Sequence, residues 1–236
     1  MSTYSTLQTR VQRRVIDLPS TVTAEIPALI NEAIRDIQGQ HNFRIMEAES
    51  GPTTTTTSRT LLAAPSDWKA PRGNPYLRFN DGTTRFMKFV TDRWSVEREF
   101  GTDTTRDIGE PEFILEAEPS DDDGTRNFEV WPLSDSGSDY SDGEYRILIP
   151  YWKYIPDLSA DGDSNWFTVN ATRYVVEEAT AQAFFLDFDE ERGALWLEKA
   201  AKERRLVIQA EKKRKLGAID TFVPHRRGVY DSMMRT

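Results

Sequence analysis

Apolar residues recur every three to four positions at both ends of this chain, and that spacing is lost across its middle. No single regular element satisfies both patterns, so packed helices must be combined with a β-rich segment. Near the N-terminus, Leu7, Val11, Val15 and Leu18 predict a helix over 5–18 that Pro19-Ser20 breaks. A second helix is predicted over 23–39, with Ile26, Leu29, Ile30, Ala33, Ile34 and Ile37 on a broad apolar face and Gly39 as its stop. Pro27 falls in its first turn, where a missing N–H costs little.

The middle is punctuated by turn chemistry at Pro65-Ser66-Asp67, Pro71 to Pro75, Asn80-Asp81-Gly82 and Asp122-Asp123-Gly124. Between these tips short strands are predicted over 53–57, 76–79, 85–90, 93–96, 112–117, 127–132 and 144–154. In the last of them Tyr145, Ile147, Ile149 and Tyr151 alternate with Arg146, Leu148 and Pro150, as a half-buried strand requires. Helical spacing returns near Trp166, where Tyr174, Glu178, Ala181, Phe185 and Phe188 share a stripe and Asp187-Phe188-Asp189 marks a corner. A long helix is predicted over 190–215, with Ala194, Leu197, Ala201, Leu206 and Ile208 inward and Gly217 ending it. Its Lys212-Lys213-Arg214-Lys215 end complements the negative pole of the helix dipole.

The predicted fold is therefore α+β: N- and C-terminal helices packed as a helical bundle, an inserted antiparallel β-rich domain, and an extended C-terminal tail. The corresponding boundaries are 1–50 with 160–217 for the bundle, 51–159 for the insertion and 218–236 for the tail. That tail has no period but carries Phe222, Val223, Pro224, Val229, Tyr230, Met233 and Met234, apolar anchors with no core of their own.

Composition narrows the chemistry. Six Trp, eight Tyr and twelve Phe are too many aromatics for a disordered chain. With no Cys there is no disulfide framework, thiol nucleophile or zinc finger. The basic, polar start from Met1 to Arg14 lacks the apolar run of a signal peptide, and no window approaches the ~18 apolar residues of a membrane span. The net charge of −9 conceals an asymmetry, with 19 acids against 5 bases over 97–163 and 12 bases against 5 acids over 192–236. Two ends with different partners are implied.

Catalytic and cofactor signatures are missing. Neither a nucleophile elbow nor a phosphate-binding glycine loop occurs, and the only histidines, His41 and His225, fall in a predicted loop and in the tail. The acidic clusters Asp121-Asp122-Asp123, Asp135 with Asp139 and Asp142, and Asp157 with Asp161 and Asp163 offer oxygen ligands for calcium, or carboxylate pairs for glycoside hydrolysis. None has EF-hand spacing, and solvated loop tips account for them as well. Neither an enzymatic activity nor a cofactor is expected. The basic residues Arg204, Arg205, Lys212, Lys213, Arg214, Lys215, Arg226 and Arg227 could meet phosphates. The interleaved Glu198, Glu203 and Glu211 favour an acidic protein surface instead.

The stretch Leu7-Gln8-Thr9-Arg10-Val11-Gln12-Arg13-Arg14, followed by Ile26 to Ile30 and Asn31-Glu32-Ala33-Ile34-Arg35-Asp36-Ile37, resembles the opening of podovirus-type bacteriophage head-to-tail adaptor (connector) proteins. Leu61-Leu62-Ala63-Ala64-Pro65-Ser66-Asp67-Trp68 is similar to their turn after a Thr-rich strand, with two Ala between Leu62 and Pro65. Tyr151-Trp152, the run Ala179, Ala181, Ala183, Phe185, Leu186, Asp187, and Trp196, Glu198, Ala200 continue the likeness. The acidic loops around Asp121 and Asp139 lie outside it. The resemblance implies a structural virion protein of the neck, assembled in the host cytoplasm: a ring of neighbouring copies, typically dodecameric, between portal protein and tail nozzle or tail fibre proteins. Double-stranded DNA would pass through its lumen without sequence-specific binding, and no membrane is involved. The residues expected to dock on the portal are Lys212, Lys213, Arg214, Phe222, His225, Arg226, Arg227 and Tyr230. The competing expectation is a receptor- or glycan-binding tail module, in which Trp94, Trp131, Tyr140, Tyr151 and Trp152 stack on sugars.

Overall fold

The computed structural model describes residues 2–51, 53–55, 61–79, 82–101, 109–117, 126–132 and 145–220. In chain order the first elements are α1 (Tyr4–Gln12), α2 (Ser20–Ala24), α3 (Ile26–Gln40), β1 (Glu47–Glu49), β2 (Thr53–Thr55), β3 (Leu61–Ala63), β4 (Trp68–Pro71), β5 (Tyr76–Arg78), β6 (Thr84–Phe86) and β7 (Lys88–Val90). There follow α4 (Arg93–Phe100), β8 (Phe113–Ala117), β9 (Asn127–Trp131), β10 (Tyr145–Leu148), β11 (Pro150–Lys153), α5 (Trp166–Asn170), α6 (Thr172–Leu186) and α7 (Glu190–Asp220). Among the described residues the fold is thus mixed α+β, with seven α-helices and mostly antiparallel sheets. The chain divides into two compact units, Met1–Arg44 with Asp157–Thr236, and Ile45–Pro156.

In the first unit α6 is the common partner, packed by α1, α3, α5 and α7. Its residues from Tyr174 to Ala181 are all buried, so it has no solvent face there. Ala179, Ala181 and Ala183 keep it slim enough for neighbours to approach on every side. Against it α3 lays the face read from the sequence: Ile26, Leu29, Ile30, Ala33, Ile34 and Ile37 are all buried. Burial of each such large aliphatic side chain contributes about 1.5–3 kcal/mol. One helix over 23–39 is not formed, because the Pro27 ring excludes the carbonyl four residues before it. The chain instead makes α2, bends at Glu25 and restarts as α3 with Pro27 at its start. The Pro27 carbonyl then accepts from the Tyr4 hydroxyl at 2.8 Å. Likewise α1 stops at Gln12, short of the expected 18, and tight turns carry Val15 and Leu18 into the core.

The segment 157–165 closes this unit. Asn31 brackets Leu158 from both sides, donating to its carbonyl and accepting from its N–H, each at 3.0 Å. Arg35 pairs with Asp157. The carbonyls of Asp163 and Asp161 accept from Tyr4 N–H at 2.9 Å and Ser5 N–H at 3.1 Å, which caps the start of α1. Asn165 then opens α5 with a reciprocal capping box to Thr168.

Two expectations for the C-terminal helices are corrected. On α6, Tyr174, Glu178 and Ala181 do point inward, but Phe185 and Phe188 are exposed. On α7, Ala194, Leu197 and Leu206 face solvent, whereas Ala201 and Ile208 are partly buried as expected; Gly193, Ala200 and Glu211 are buried and Trp196, Glu203, Arg204 and Val207 partly so. The helix is rotated from its aliphatic stripe because its partners are polar: Arg173 reaches Glu203 at 3.2 Å, Arg204 reaches Asp36 at 3.5 Å, and the Arg44 N–H donates to Glu211 at 3.0 Å. Gly217 does not end the helix, which runs to Asp220. Residues 218–220 of the expected tail are therefore helical, and 221–236 lie outside the described residues.

The second unit holds three small sheets, ordered β1-β11-β4, β2-β10-β5-β6 and β3-β9-β8-β7, with β7 and β8 the parallel pair. Leu62, Trp68, Leu77, Met87, Ile114, Phe128, Val130, Ile147, Ile149 and Tyr151 form its core. Trp68 stacks on Tyr151 with ring centres 5.1 Å apart and meets Phe128 at 4.9 Å. The strand expected over 144–154 is two strands in different sheets. Pro150 cannot donate to a ladder, and the break at Ile149 is held by Ser50, whose N–H and hydroxyl take up the Ile149 carbonyl and N–H. The run 85–90 likewise splits around buried Met87. Residues 93–96, expected as strand, are helix α4. Asp92 caps it by accepting from the Trp94 N–H at 3.1 Å, Arg93 pairs with Glu97 at 2.7 Å, and Gly101 at φ 87° ends it.

Replacing Asn31 by Ala removes both bonds to Leu158 and leaves buried backbone groups unmatched. The expected loss is about 1–3 kcal/mol, read as a lower urea midpoint of the helical circular dichroism.

Candidate interaction surface

Buried charge organises the helical unit. Glu177 and Glu178, neighbours on α6, are both buried. Glu177 accepts from Arg173 at 3.1 Å, and Arg173 also reaches Glu203 of α7. The half-buried Arg14 guanidinium lies 4.6 Å over the Trp196 ring, which the Lys199 ammonium also approaches, at 3.8 Å. Burial lowers the pKa of Arg14, opposed by the charge of Glu177.

A second cluster joins α3, α6 and α7. The Tyr174 hydroxyl donates to Asp36 at 2.9 Å, Gln40 donates to the same carboxylate, and Arg204 stands 3.5 Å from it. Burial, with the nearby charges of Glu178 and Asp36, pushes the Tyr174 phenol far above its usual range. Burial and the Asp36 charge also raise the Glu178 carboxyl, while Gln182 at 3.4 Å works against them. These groups fasten α3, α6 and α7 to one another.

What α7 turns outward is different in kind. A shallow groove along it is lined by Leu195, Glu198, Lys199, Ala201, Lys202 and Arg205. Leu206 beside it is half exposed. Lys212, Lys213 and Arg214, expected to dock, are exposed one residue after the anchored Glu211. The remaining residues of that expectation, Phe222, His225, Arg226, Arg227 and Tyr230, lie outside the described residues.

The other sequence candidates resolve into structural roles where they are described. In the loop with Asp157 and Asp161, the Asp163 carboxylate accepts from the N–H groups of Ser159 and Ala160, each at 2.8 Å, and these bonds hold its pKa low. Among the described residues no group of three or more His, Asp or Glu could hold a metal ion. The clusters at 121–123 and 135–142 lie outside them. His41 packs edge-on against Phe43 at 4.7 Å. Of the aromatics proposed to stack on sugars, Trp131 and Tyr151 are core residues. The Tyr151 hydroxyl donates to Asp67 at 2.8 Å, and burial with that carboxylate pushes its pKa up to about 12. Trp152 is covered by Arg72 at 5.7 Å, Trp94 is exposed, and Tyr140 is not among the described residues. Among the described residues no helix is long and apolar enough to cross a membrane.

Buried charges thus join the helices, and beside them a long helix turns cations and leucines to solvent. The family model of the SU10 adaptor protein matches residues 2–224, and the chain belongs to that family. It is therefore a phage adaptor protein, a class of virion neck component that interacts with portal and tail parts. No curated protein matches the chain.

Glu178 makes a measurable prediction. Its raised pKa means that the folded protein holds the proton more tightly than the unfolded chain does. The carboxylate therefore destabilises the fold above that pKa. The penalty fades as pH falls through it and is gone below the ordinary glutamate value, roughly pH 4 to 5. Glu178→Gln should be more stable than the parent at neutral pH, with a gain that shrinks towards acid. Urea midpoints of both proteins across that range test this; a pH-independent difference would remove the electrostatic account.

Proposed function

We propose that this adaptor forms a ring, dodecameric in the reading that the family likeness favours, between the portal and the tail nozzle or fibres. The ring surrounds the DNA passage and seals it against leakage. The protein acts by joining surfaces and not by catalysis. Its C-terminal region docks on the portal through Lys212, Lys213, Arg214, Phe222, His225, Arg226, Arg227 and Tyr230, with cations meeting acidic groups and aromatics filling pockets.

The observation that carries this is the end of α7. Glu211 is fastened to the Arg44 N–H, and the next three residues are exposed cations. A helix held up to that point presents its charges at low entropic cost, and the sequence that follows supplies apolar residues without periodicity.

The full chain, a chain lacking 218–236, and a Lys212→Glu, Lys213→Glu, Arg214→Glu variant should each be titrated against purified portal rings. The deletion should abolish binding with the helical signal intact. The charge reversal should weaken binding by at least about tenfold, most at low salt. Undiminished binding by both proteins would overturn portal docking through this end.

A further inference from the structure

Helix α6 ends in a hydrogen-bonded reversal. The Phe188 N–H donates to the Phe185 carbonyl and the Asp189 N–H to the Phe184 carbonyl, each at 3.0 Å. This is the Schellman pattern, whose pivotal residue must take a left-handed backbone and is most often glycine. Here it is Phe188, at φ 61°, the one described non-glycine residue with positive φ. A β-carbon costs free energy in that conformation. The Phe188 side chain recovers none of it within the chain, being 92% exposed. Two unfavourable features thus coincide at one residue, and an exposed aromatic held on a rigid turn is the form of a binding anchor.

Its surroundings specify what it meets. Phe185 and Leu186 are exposed beside it, and the rim is acidic, with exposed Glu190 and Glu191 and with Asp187. Asp189 is taken up by Arg192, which also lies over the Phe184 ring at 4.5 Å. The corner is closely packed: a Cβ on Gly193 would fall 2.6 Å from the Phe185 ring. The complement to an apolar knob with an acidic rim is an apolar groove with a basic rim. Farther along α7 the chain carries a groove whose described lining is Leu195 and Ala201 among Lys199, Lys202 and Arg205, with Glu198 the one acid among these described residues.

Phe188 stands just before α7, and the groove residues run along that helix from about 10 to about 25 Å beyond it at 1.5 Å per residue; the exposed Phe188 ring is not seated in its own groove. We infer that the Phe188 corner of one copy seats in the α7 groove of a second copy, so that neighbours join head to tail. Such a contact uses two different surfaces of each subunit and closes into a ring when the rotation between copies permits. The inference rests on the ring reading above and names the surfaces that would build it.

Sedimentation velocity of the full chain, alone over a concentration series and mixed with portal rings, provides the test. Phe188→Gly removes the knob and the backbone strain together. It should melt no lower than the parent, yet self-associate at least about tenfold more weakly. Glu190→Lys with Glu191→Lys should fail to assemble alone, as should Lys199→Glu with Lys202→Glu. An equimolar mixture of these two proteins should assemble, because every contact then pairs opposite charges. Parent-like assembly of Phe188→Gly, a mixture that stays dispersed, or a parent chain that stays monomeric under all conditions would each overturn the inference. Portal binding by the same proteins is scored separately: if it persists, only the knob-and-groove contact is lost, and if it is absent throughout, the adaptor reading itself is at fault.

Discussion

Everything in the helical unit depends on α6 being buried along most of its length while carrying two adjacent glutamates. A carboxylate taken out of water is tolerable only where cations or hydrogen-bond donors meet it. Arg173 serves Glu177, and Gln182 with the more distant Arg204 serves Glu178. These requirements set which face α7 must present. Aliphatic packing alone would have turned its leucines inward; ionic pairing with α6 and α3 turns them out.

The exterior follows from that rotation. Leu195, Leu197 and Leu206 become surface residues among lysines and arginines, and Phe188 stands clear at the corner between α6 and α7. A monomer gains nothing from such exposure, whereas an assembling protein does, because a partner can bury the same area. The packing of the subunit and the exposure of the α7 leucines thus come from one choice of helix phase. The acidic segment 157–163 belongs to the interior side of the same economy. Its carbonyls and carboxylates close the ends of α1 and of the loop itself, which leaves no described metal cage there.

Legibility varied with the kind of force involved. The α3 face could be read residue by residue, since six aliphatic side chains at helical spacing have one way to be buried. One strand tip could be read too: β5 and β6 pair antiparallel, and Gly82, the described residue of the turn expected between them, stands at φ 85°. The α4 signal was present but overridden by local β propensity. Asp92 as cap, Arg93 with Glu97 four residues on, and Gly101 as stop spell a short helix. The phase of α7 could not be read, because its buried positions include Gly193, Ala200 and Glu211, which no hydrophobic count selects. Of the expected docking residues, Lys212, Lys213 and Arg214 were legible as an exposed basic end. Phe188 was legible only as a corner residue, since neither its φ nor its exposure is a property of sequence.

By itself the sequence determined the alternation of helical and β-rich segments, the family likeness, the absence of cysteine chemistry and the separation of acidic from basic ends. These follow from local periodicity and composition, which act over a few residues or over the whole chain regardless of contacts. Only the tertiary structure decided which face of α7 is inward, that 144–154 serves two sheets, that Asp163 is a loop clasp, and that an aromatic at left-handed φ is left bare at a corner. Each of these is settled by partners distant in sequence, and the free energy of burying a charge depends on what stands across from it.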